Sequence, residues 1–347
     1  MYVCLYFLLH MICLVSLWTS LEASTDSQDG NLKNVKSRIL YQLQEQMNKI
    51  SFPDPDDTEG YVRSKIQQYY YLRSGKRKLQ WMFKPYKGTT PHIREIFLGR
   101  CWDYVQNKHS FLFNSKNIDC VVLWNSFVKA FANKNPCGLR KRDYAEFFSM
   151  IYEKPLYDKV LLWSGTREWA HTYARLFDKY VTLEDTFAGF LLNGLTWCGS
   201  KNWPGINFNT CPYECSKQKA FWGLAADKLA MRARGIVHVM LNGTRQHLVD
   251  RQIFPAFMDD SYLAEDQVPK LPVGKITEVK LLVGHTLHHT KLEKCNSLSI
   301  KELQGRLVHR GLKTSCYDDP NVLRHLLCLN QPNDSLCLFR TMAENGD

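Results

Sequence analysis

The stretch Thr-Leu-Glu-Asp-Thr-Phe-Ala-Gly-Phe-Leu-Leu-Asn-Gly-Leu-Thr-Trp-Cys, residues 182–198, is the segment from which the rest of the chain is interpreted. Thr182 is a candidate helix N-cap, and Glu184 and Asp185 follow in the first turn, where negative charge complements the helix dipole. Apolar side chains then repeat at helical spacing, at Phe187, Phe190, Leu191 and Leu195. The pattern therefore predicts a helix over 182–195 that begins with acidic residues, and capping alone accounts for such acids in most helices.

Four short segments elsewhere in the chain are predicted to be strands: the mainly apolar runs 160–163, 236–241 and 279–283, and a fourth strand at 312–316. Residues with helical spacing separate them, and near-continuous apolar strands of this kind are typical of a parallel sheet covered on both faces. The predicted fold class is therefore α/β with two lobes, stapled by disulfides. A helical lobe takes residues 92–156 and 182–234. The other lobe takes 157–181 and 235–340 and contains a four-stranded, mainly parallel sheet flanked by helices.

The first 90 residues are predicted to lie outside the main domain, which we place at 91–347. Residues 1–23 contain a long uncharged apolar run and a small-residue exit, as in a secretory signal peptide; an uncleaved N-terminal membrane anchor is the alternative. Residues 24–90 form an extension with an amphipathic helix and a basic, aromatic stretch. The predicted location is secreted or on the extracellular face of the membrane, and membrane contact requires an uncleaved N-terminal segment.

Cysteine usage agrees with secretion. Cys4 and Cys13 lie in the predicted signal segment, and the other ten of the twelve cysteines form an even set, which implies disulfides without giving their pairing. The spacing of Cys211 and Cys215 also suits zinc, but no second pair of matching spacing follows, so no metal site is predicted. Asn242-Gly-Thr and Asn333-Asp-Ser are glycosylation sequons.

The chain is basic, because lysine and arginine outnumber aspartate and glutamate by 45 to 34, a net charge of +11. Such a charge suits anionic ligands without naming one. The basic, aromatic stretch at 61–88 has the composition of surfaces that bind single-stranded nucleic acid. In a secreted chain we expect no nucleic-acid partner, and a solvated face or a glycan or membrane-surface contact is the better interpretation. The oligomeric state does not follow from the sequence.

Several motifs resemble those of the ADP-ribosyl cyclase/NAD glycohydrolase family, in one collinear order over about residues 92–340. Thr-Leu-Glu-Asp-Thr at 182–186 and Leu-Thr-Trp-Cys at 195–198 resemble the family signature. The further matches are Val-Leu-Leu-Trp-Ser at 160–164, Phe-Trp at 221–222 and Val-His-Val-Met-Leu-Asn-Gly-Thr at 237–244. The resemblance implies an extracellular enzyme that needs no metal or cofactor and splits NAD or NADP at the nicotinamide–ribose bond. Its implied products are nicotinamide and ADP-ribose, with minor cyclic ADP-ribose.

The resemblance also assigns roles to single residues. Glu184 matches the family's acidic residue beside the nicotinamide carboxamide, and Trp163 and Trp222 match its two active-site tryptophans. Aromatic planes can hold the flat nicotinamide, and a carboxylate can stabilise an oxocarbenium-like ribose. The other predicted substrate-binding residues are Ser164, Asp185 and Asn193. The implied disulfides are Cys101–Cys120, Cys137–Cys215, Cys198–Cys211, Cys295–Cys316 and Cys328–Cys337.

The main departure from the family concerns its catalytic glutamate. Asp266-Gln-Val-Pro-Lys-Leu271 is the best match to the segment around that residue, which places Gln267 at the glutamate position; an ungapped count would instead place Asp259 there. A glutamine can hydrogen-bond to ribose hydroxyls but carries no charge to offset a developing cation. Smaller departures are Asn193 for a second acid, Gly165 for a phosphate-facing arginine of vertebrate members, and Ala226 for a serine.

Three hypotheses follow. The first is an active NAD-cleaving enzyme with Glu184 and Gln267 as its catalytic residues, and the resemblance favours it. The second is a catalytically weakened or silent relative that binds a nucleotide or a surface partner, because Gln267 lacks the charge. The third is a structural ectodomain without a ligand. Four acidic residues could substitute for the missing carboxylate: Asp259, Asp260, Glu265 and Asp266.

Overall fold

The computed structural model describes residues 88–108, 118–177, 180–201, 203–212, 218–244, 255–330 and 334–337. The predicted signal peptide, almost all of the N-terminal extension, Cys215 and Asn333 lie outside these residues. Contacts between Cα atoms divide the chain into two compact units. One comprises residues 74–320, and the described residues of the other are 321–330 and 334–337.

Parallel strands form the centre of the larger unit. The described residues contain seven strands: β1 (Leu156–Tyr157), β2 (Val160–Ser164), β3 (Gly199–Ser200), β4 (Trp203–Ile206), β5 (Ala233–Asn242), β6 (Ile276–Gly284) and β7 (Thr314–Asp318). β5 pairs in parallel with β1 and β2 on one side and with β6 on the other, and β6 pairs in parallel with β7. Since β1 and β2 pair with successive parts of β5, the sheet is four strands wide. Its carboxyl ends meet at one edge, where α/β sheets bind ligands.

The four predicted strands correspond to β2, β5, β6 and β7, which confirms the α/β class with a mainly parallel sheet. Nearly every side chain of β2 and of the second half of β5 is buried, as expected for strands covered on both faces. Periodicity does not predict β1, nor the antiparallel pair of β3 and β4. These strands have two to four residues, too few for a pattern to emerge.

Helices surround the sheet in the larger unit, and one more helix belongs to the smaller unit. The α-helices of the described residues are α1 (Ile93–Asp103), α2 (Cys120–Phe131), α3 (Ala145–Ser149), α4 (Arg167–Phe177), α5 (Phe187–Leu192), α6 (Lys219–Arg232), α7 (Leu298–His309) and α8 (Asn321–Asn330). Within the part of the chain that the structure describes, no helix combines the length and apolarity needed to span a bilayer.

The segment 182–195 is not one helix, contrary to the sequence prediction. A 3-10 turn, Leu183–Asp185, comes first, and α5 starts anew after Thr186. The hydroxyl of Thr186 caps α5 by accepting a hydrogen bond from the backbone N–H of Gly189 at 3.1 Å. Gly189 lies so close to the turn that a Cβ there would be 2.0 Å from the carbonyl oxygen of Leu183. The fold back at Thr186 therefore requires glycine at 189.

Aromatic packing joins the helices to one another. Phe127 of α2 packs on Phe97 of α1 and Phe221 of α6, with ring centroids 5.5 and 6.1 Å apart, and all three rings are fully buried. Burying one phenylalanine stabilises a fold by about 1.5–3 kcal/mol. The same apolar cluster continues into β2, β5 and β6. This cluster packs the turn that carries Glu184 and the helix that carries Trp222 against the sheet. The boundaries of the two lobes stay a prediction.

Each of the two units contains its own disulfides. Within the described residues the larger unit contains Cys101–Cys120, Cys198–Cys211 and Cys295–Cys316, and the smaller unit contains Cys328–Cys337. These are four of the five pairings that the family resemblance implies. The fifth involves Cys215, which lies outside the described residues. Disulfides of this number are typical of proteins that fold in an oxidising compartment.

Candidate functional site

A pocket of about 720 Å³ opens at the carboxyl end of β2. Its lining includes six of the residues proposed from sequence: Trp163, Ser164, Glu184, Asn193, Trp222 and Gln267. These residues come from four separate segments between 163 and 267, so the fold brings them together from distant parts of the chain. Asp185 is absent from the lining.

The turn after β2 sets one wall of the pocket. Trp163 and Ser164 end the strand, and Gly165 follows with a φ of 67°, a conformation that favours glycine. The side-chain amide of Asn242, at the end of β5, donates to the carbonyl oxygen of Gly165 at 3.1 Å. The hydroxyl of Thr166 donates to the carbonyl oxygen of Met240 at 3.1 Å. The neighbouring strand thus holds the turn, which presents the Trp163 ring to the pocket.

Asp185 stabilises the turn that carries Glu184. Its carboxylate accepts hydrogen bonds from the backbone N–H of Thr182 at 2.9 Å and from the Thr182 hydroxyl at 2.7 Å. The hydroxyl of Tyr104 donates to the carbonyl oxygen of Asp185 at 3.1 Å. Thr182 is therefore the N-cap of this turn, as the sequence predicts, and forms a capping box with Asp185. These contacts give Asp185 a structural part in the turn; its predicted contact with substrate stays a prediction.

The carboxylate of Glu184 is nearly buried, with 12% of its side chain exposed, and faces two ring nitrogens. Trp163 Nε1 donates to Glu184 Oε2 at 3.4 Å, and His171 Nε2 lies 3.6 Å from the same oxygen. Burial acts to raise the pKa of this carboxyl, but the contact with His171, a hydrogen bond from the backbone N–H of Glu184 itself and the Trp163 indole together outweigh burial, and the pKa lies below its ordinary value. Glu184 is therefore an ionised acceptor at neutral pH.

Asn193 is positioned from α1 and α4. The guanidinium of Arg100 donates to the carbonyl oxygens of Leu191 at 3.0 Å and of Asn193 at 2.8 Å, and so occupies free acceptors at the end of α5. The guanidinium of Arg167 donates to Asn193 Oδ1 at 3.1 Å. Arg167 itself lines the pocket, so its positive charge stands beside an uncharged residue where the family resemblance places a second acid.

Gln267 is 5% exposed and ends a helical turn, Leu263–Gln267, that packs on α6. Side-chain contacts fix the segments just before and just after Gln267. Lys141 Nζ donates to Asp266 Oδ1 at 2.5 Å and to Asp227 Oδ2, on α6, at 2.7 Å. Arg310, just after α7, donates to the carbonyl oxygens of Val268 and Leu271. This arrangement fixes the backbone of Gln267 at the pocket wall.

The four substitute carboxylates differ in position. Asp260 lines the pocket and is exposed. Glu265 pairs with Lys219 at 2.9 Å, and Asp259 pairs with Arg306. Asp266 is committed to Lys141, although burial raises its pKa. Of these four acids, only Asp260 belongs to the described lining.

Three residues near the site carry no signal in the sequence. His171, Arg167 and Lys219 lie on helix faces among ordinary polar residues, and only the fold shows that Arg167 and Lys219 line the pocket while His171 faces Glu184. Arg167 and Lys219 are the first residues of their helices, where acidic side chains are the usual choice, but that departure does not identify a site from sequence. Within the described residues, no group of three or more His, Cys, Asp or Glu side chains could hold a metal ion.

Asn242 has a structural part besides its sequon. Its Oδ1 accepts hydrogen bonds from the backbone N–H of Thr244 at 2.9 Å and from the Thr244 hydroxyl at 2.8 Å, while its Nδ2 donates to Gly165. Asn242 Nδ2 therefore holds the β2 turn, while Asn242 Oδ1 stabilises the turn that follows β5. Glycosylation at Asn242 stays a prediction.

Comparisons with known proteins agree over most of the chain. A family model for ADP-ribosyl cyclase matches residues 90–337. ADP-ribosyl cyclase/cyclic ADP-ribose hydrolase of Aplysia californica is 35% identical over 254 residues, covering 72% of this chain and 87% of that protein. ADP-ribosyl cyclase/cyclic ADP-ribose hydrolase 1 of Oryctolagus cuniculus is 32% identical over 255 residues, covering 72% and 82%.

Solved structures give the same result. The crystal structure of Aplysia cyclase complexed with substrate NGD and product cGDPR has a TM-score of 0.66 and 35% identity, covering 72% of this chain and 98% of that chain. Porcine CD38 complexed with a covalent intermediate, ribo-F-ribose-5'-phosphate, has a TM-score of 0.60 and 30% identity, covering 68% and 99%.

Proposed function

Because the chain belongs to the ADP-ribosyl cyclase family, we propose that its pocket binds NAD and cleaves the bond between nicotinamide and ribose. One observation carries the proposal: two tryptophans and an ionised carboxylate line a single pocket at the carboxyl edge of a parallel sheet. Nicotinamide leaves as a neutral base, a cation develops on the ribose, and water adds to give ADP-ribose. Capture by the adenine of the same molecule gives minor cyclic ADP-ribose.

Trp163, Trp222 and Glu184 are proposed to hold the nicotinamide. The two half-buried indoles offer apolar planes to the flat ring. Glu184 accepts hydrogen bonds only, since it is ionised, and it therefore suits the N–H₂ group of a carboxamide. A carboxylate at this place also favours the positive charge of the pyridinium and of the ribose that forms as the bond breaks.

Arg167 and Lys219 are proposed to bind the pyrophosphate. They are the first residues of α4 and α6, and both line the pocket. Helix starts attract anions because their free N–H groups and the helix dipole favour negative charge. Arg167 would take the place of the arginine that the family resemblance expects at Gly165, two residues earlier in the same turn.

Gln267 is proposed to bind the ribose hydroxyls without stabilising the developing charge. Its amide offers both a donor and an acceptor at a fixed point of the wall. The absent carboxylate leaves Glu184 as the buried ionised group of the lining, so cleavage should be slow compared with a chain that has glutamate at 267. We also propose that the chain is secreted, since its disulfides suit an oxidising compartment.

The test is chromatography of products after the purified full-length chain is incubated with NAD. We expect nicotinamide in an amount equal to the sum of ADP-ribose and a small fraction of cyclic ADP-ribose. Glu184→Gln should reduce nicotinamide release about tenfold or more, whereas the matched control Glu168→Gln, on the exposed face of α4, should leave it unchanged. NAD binding without any release would instead support the silent-relative hypothesis.

A further inference from the structure

His171 lies behind the pocket wall rather than in it. It belongs to the second turn of α4, its side chain is 13% exposed, and its ring meets the ring of Trp163 edge-on with centroids 6.2 Å apart. The described pocket lining does not include it. Its Nε2 is buried and, among the described residues, has no hydrogen-bond partner within normal distance. The atom facing it is Glu184 Oε2, at 3.6 Å.

A nearly buried carboxylate such as Glu184 needs a nearby hydrogen-bond donor or positive charge to stay ionised. A carboxylate with 12% of its side chain exposed loses most of its hydration, which favours the neutral acid. Trp163 Nε1 supplies one hydrogen bond, at the long distance of 3.4 Å. That contact alone is weak compensation for a nearly buried charge, whereas an imidazole N–H, or an imidazolium, directed at the same oxygen supplies both a donor and a favourable potential.

We propose that His171 is a positioning residue that keeps Glu184 ionised and holds its Oε2 at the Trp163 indole, so that the carboxylate keeps a fixed orientation in the pocket wall. The inference deepens the proposed function and rests on it. His171 is not part of the described lining, and it acts through the two lining residues that it contacts, Glu184 and Trp163. Its expected effect is therefore on the pH range in which the site works, more than on the affinity of the pocket for the nucleotide.

The acid limb of the pH profile follows from this arrangement. Protonated Glu184 would present a donor where the carboxamide requires an acceptor, and it would lose the charge that favours the ribose cation. Without His171 this loss should begin at higher pH. The other charged or titratable groups of the lining would be unchanged, as would Asp185, the next residue in the same turn: Arg167 on α4, Lys219 on α6, and Asp260 and Tyr262 between β5 and β6.

The test compares the wild-type chain with His171→Leu, His171→Gln and the control His309→Leu, which alters an exposed histidine on α7. Leucine removes the donor, whereas glutamine places an uncharged N–H near the position of Nε2. The Glu184 carboxyl is titrated by NMR with ¹³C-labelled glutamate and is assigned with Glu184→Gln. We expect a wild-type pKa below the ordinary value of a glutamate, a clear rise of that pKa in His171→Leu, and a smaller rise in His171→Gln.

The kinetic arm measures nicotinamide release from NAD between pH 4 and 9. The acid limb of kcat/KM should move upward with the pKa of Glu184 in each variant, with KM at pH 8 changed less than twofold and the control unchanged. An unaltered Glu184 titration in both His171 variants would overturn the proposal. If wild type releases no nicotinamide, the proposed function fails, while the NMR titration still decides whether His171 controls Glu184. If His171→Leu does not fold, His171→Gln alone decides.

Discussion

At the scale of single residues, we propose that Gln267 limits the rate of the proposed reaction. The position is buried, belongs to the pocket wall, and is braced on both sides by Lys141 and Arg310. The backbone at 267 is therefore held in a fixed position at the pocket wall, but the side chain there is an uncharged amide. Preorganised charges are worth more in such a place than in water, because they need no reorientation as the transition state forms.

We expect Gln267→Glu to raise kcat for NAD cleavage about a hundredfold. KM should change less, since a carboxylate beside the ribose acts mainly on the transition state. The measurement is steady-state nicotinamide release, and Gln304→Glu on α7 is the matched control outside the pocket. A gain of less than threefold, with activity abolished by Asp260→Asn, would show that the pocket-lining aspartate has taken over.

Sequence reasoning reached the site through residues that a motif identifies. Trp163, Glu184 and Trp222 stand in short, recognisable segments, and the fold places them in one pocket. His171 could not be found in this way, because a lone histidine on an amphipathic helix is ordinary and only the tertiary fold brings it within 3.6 Å of Glu184. Arg167 was missed for the same reason.

At the scale of elements, α5 depends on a cation from another helix. The guanidinium of Arg100 reaches from α1 to the last carbonyl groups of α5, and burial lowers its pKa. A six-residue helix has little stability of its own. Its position, and with it that of Asn193 at the pocket, therefore rests on this contact and on the cap at Thr186.

Arg100→Ala should destabilise the protein by about 2 kcal/mol, the scale of lost hydrogen bonds to a charged group. Urea denaturation followed by tryptophan fluorescence measures the change. Arg94→Ala is the matched control, since Arg94 lies on the same helix and is exposed. Equal stabilities of the two variants would mean that the contact with α5 contributes nothing beyond solvation.

The long elements could be predicted and the short ones could not. Strands β2, β5 and β6 contain runs of buried apolar side chains, so composition alone marks them, whereas β7 is more polar and less buried. The break at Thr186 had no such signal, since both parts of 182–195 satisfy the same helical spacing. The close approach of Gly189 to Leu183 decides against a continuous helix, and that contact is tertiary in origin.

At the scale of the whole molecule, the disulfides fix segments that secondary structure does not join. Cys101–Cys120 connects α1 to the start of α2, and Cys295–Cys316 connects the segment before α7 to β7. In the chain-entropy model, closing loops of this size stabilises by about 3 kcal/mol each. The mature fold is therefore expected to depend strongly on an oxidising environment.

We expect all ten mature cysteines to be paired, with Cys137–Cys215 as the fifth bridge. Peptide mapping by mass spectrometry without reduction tests the pairing, and reduction with dithiothreitol should lower the Tm by more than 10 °C, because several loops open at once. More than one free thiol in the native protein would contradict the framework.

The support around Gln267 also makes the chain sensitive to chemical ageing. Hydrolysis of a side-chain amide releases ammonia and leaves a carboxylate, and Lys141 and Arg310 would hold the new glutamate where the glutamine stood. With a hundredfold faster reaction at each altered molecule, a deamidated fraction of ~1% would release as much nicotinamide as all the other molecules together. The apparent activity of a stored preparation should therefore rise in proportion to the heavier, deamidated form of the peptide that contains residue 267.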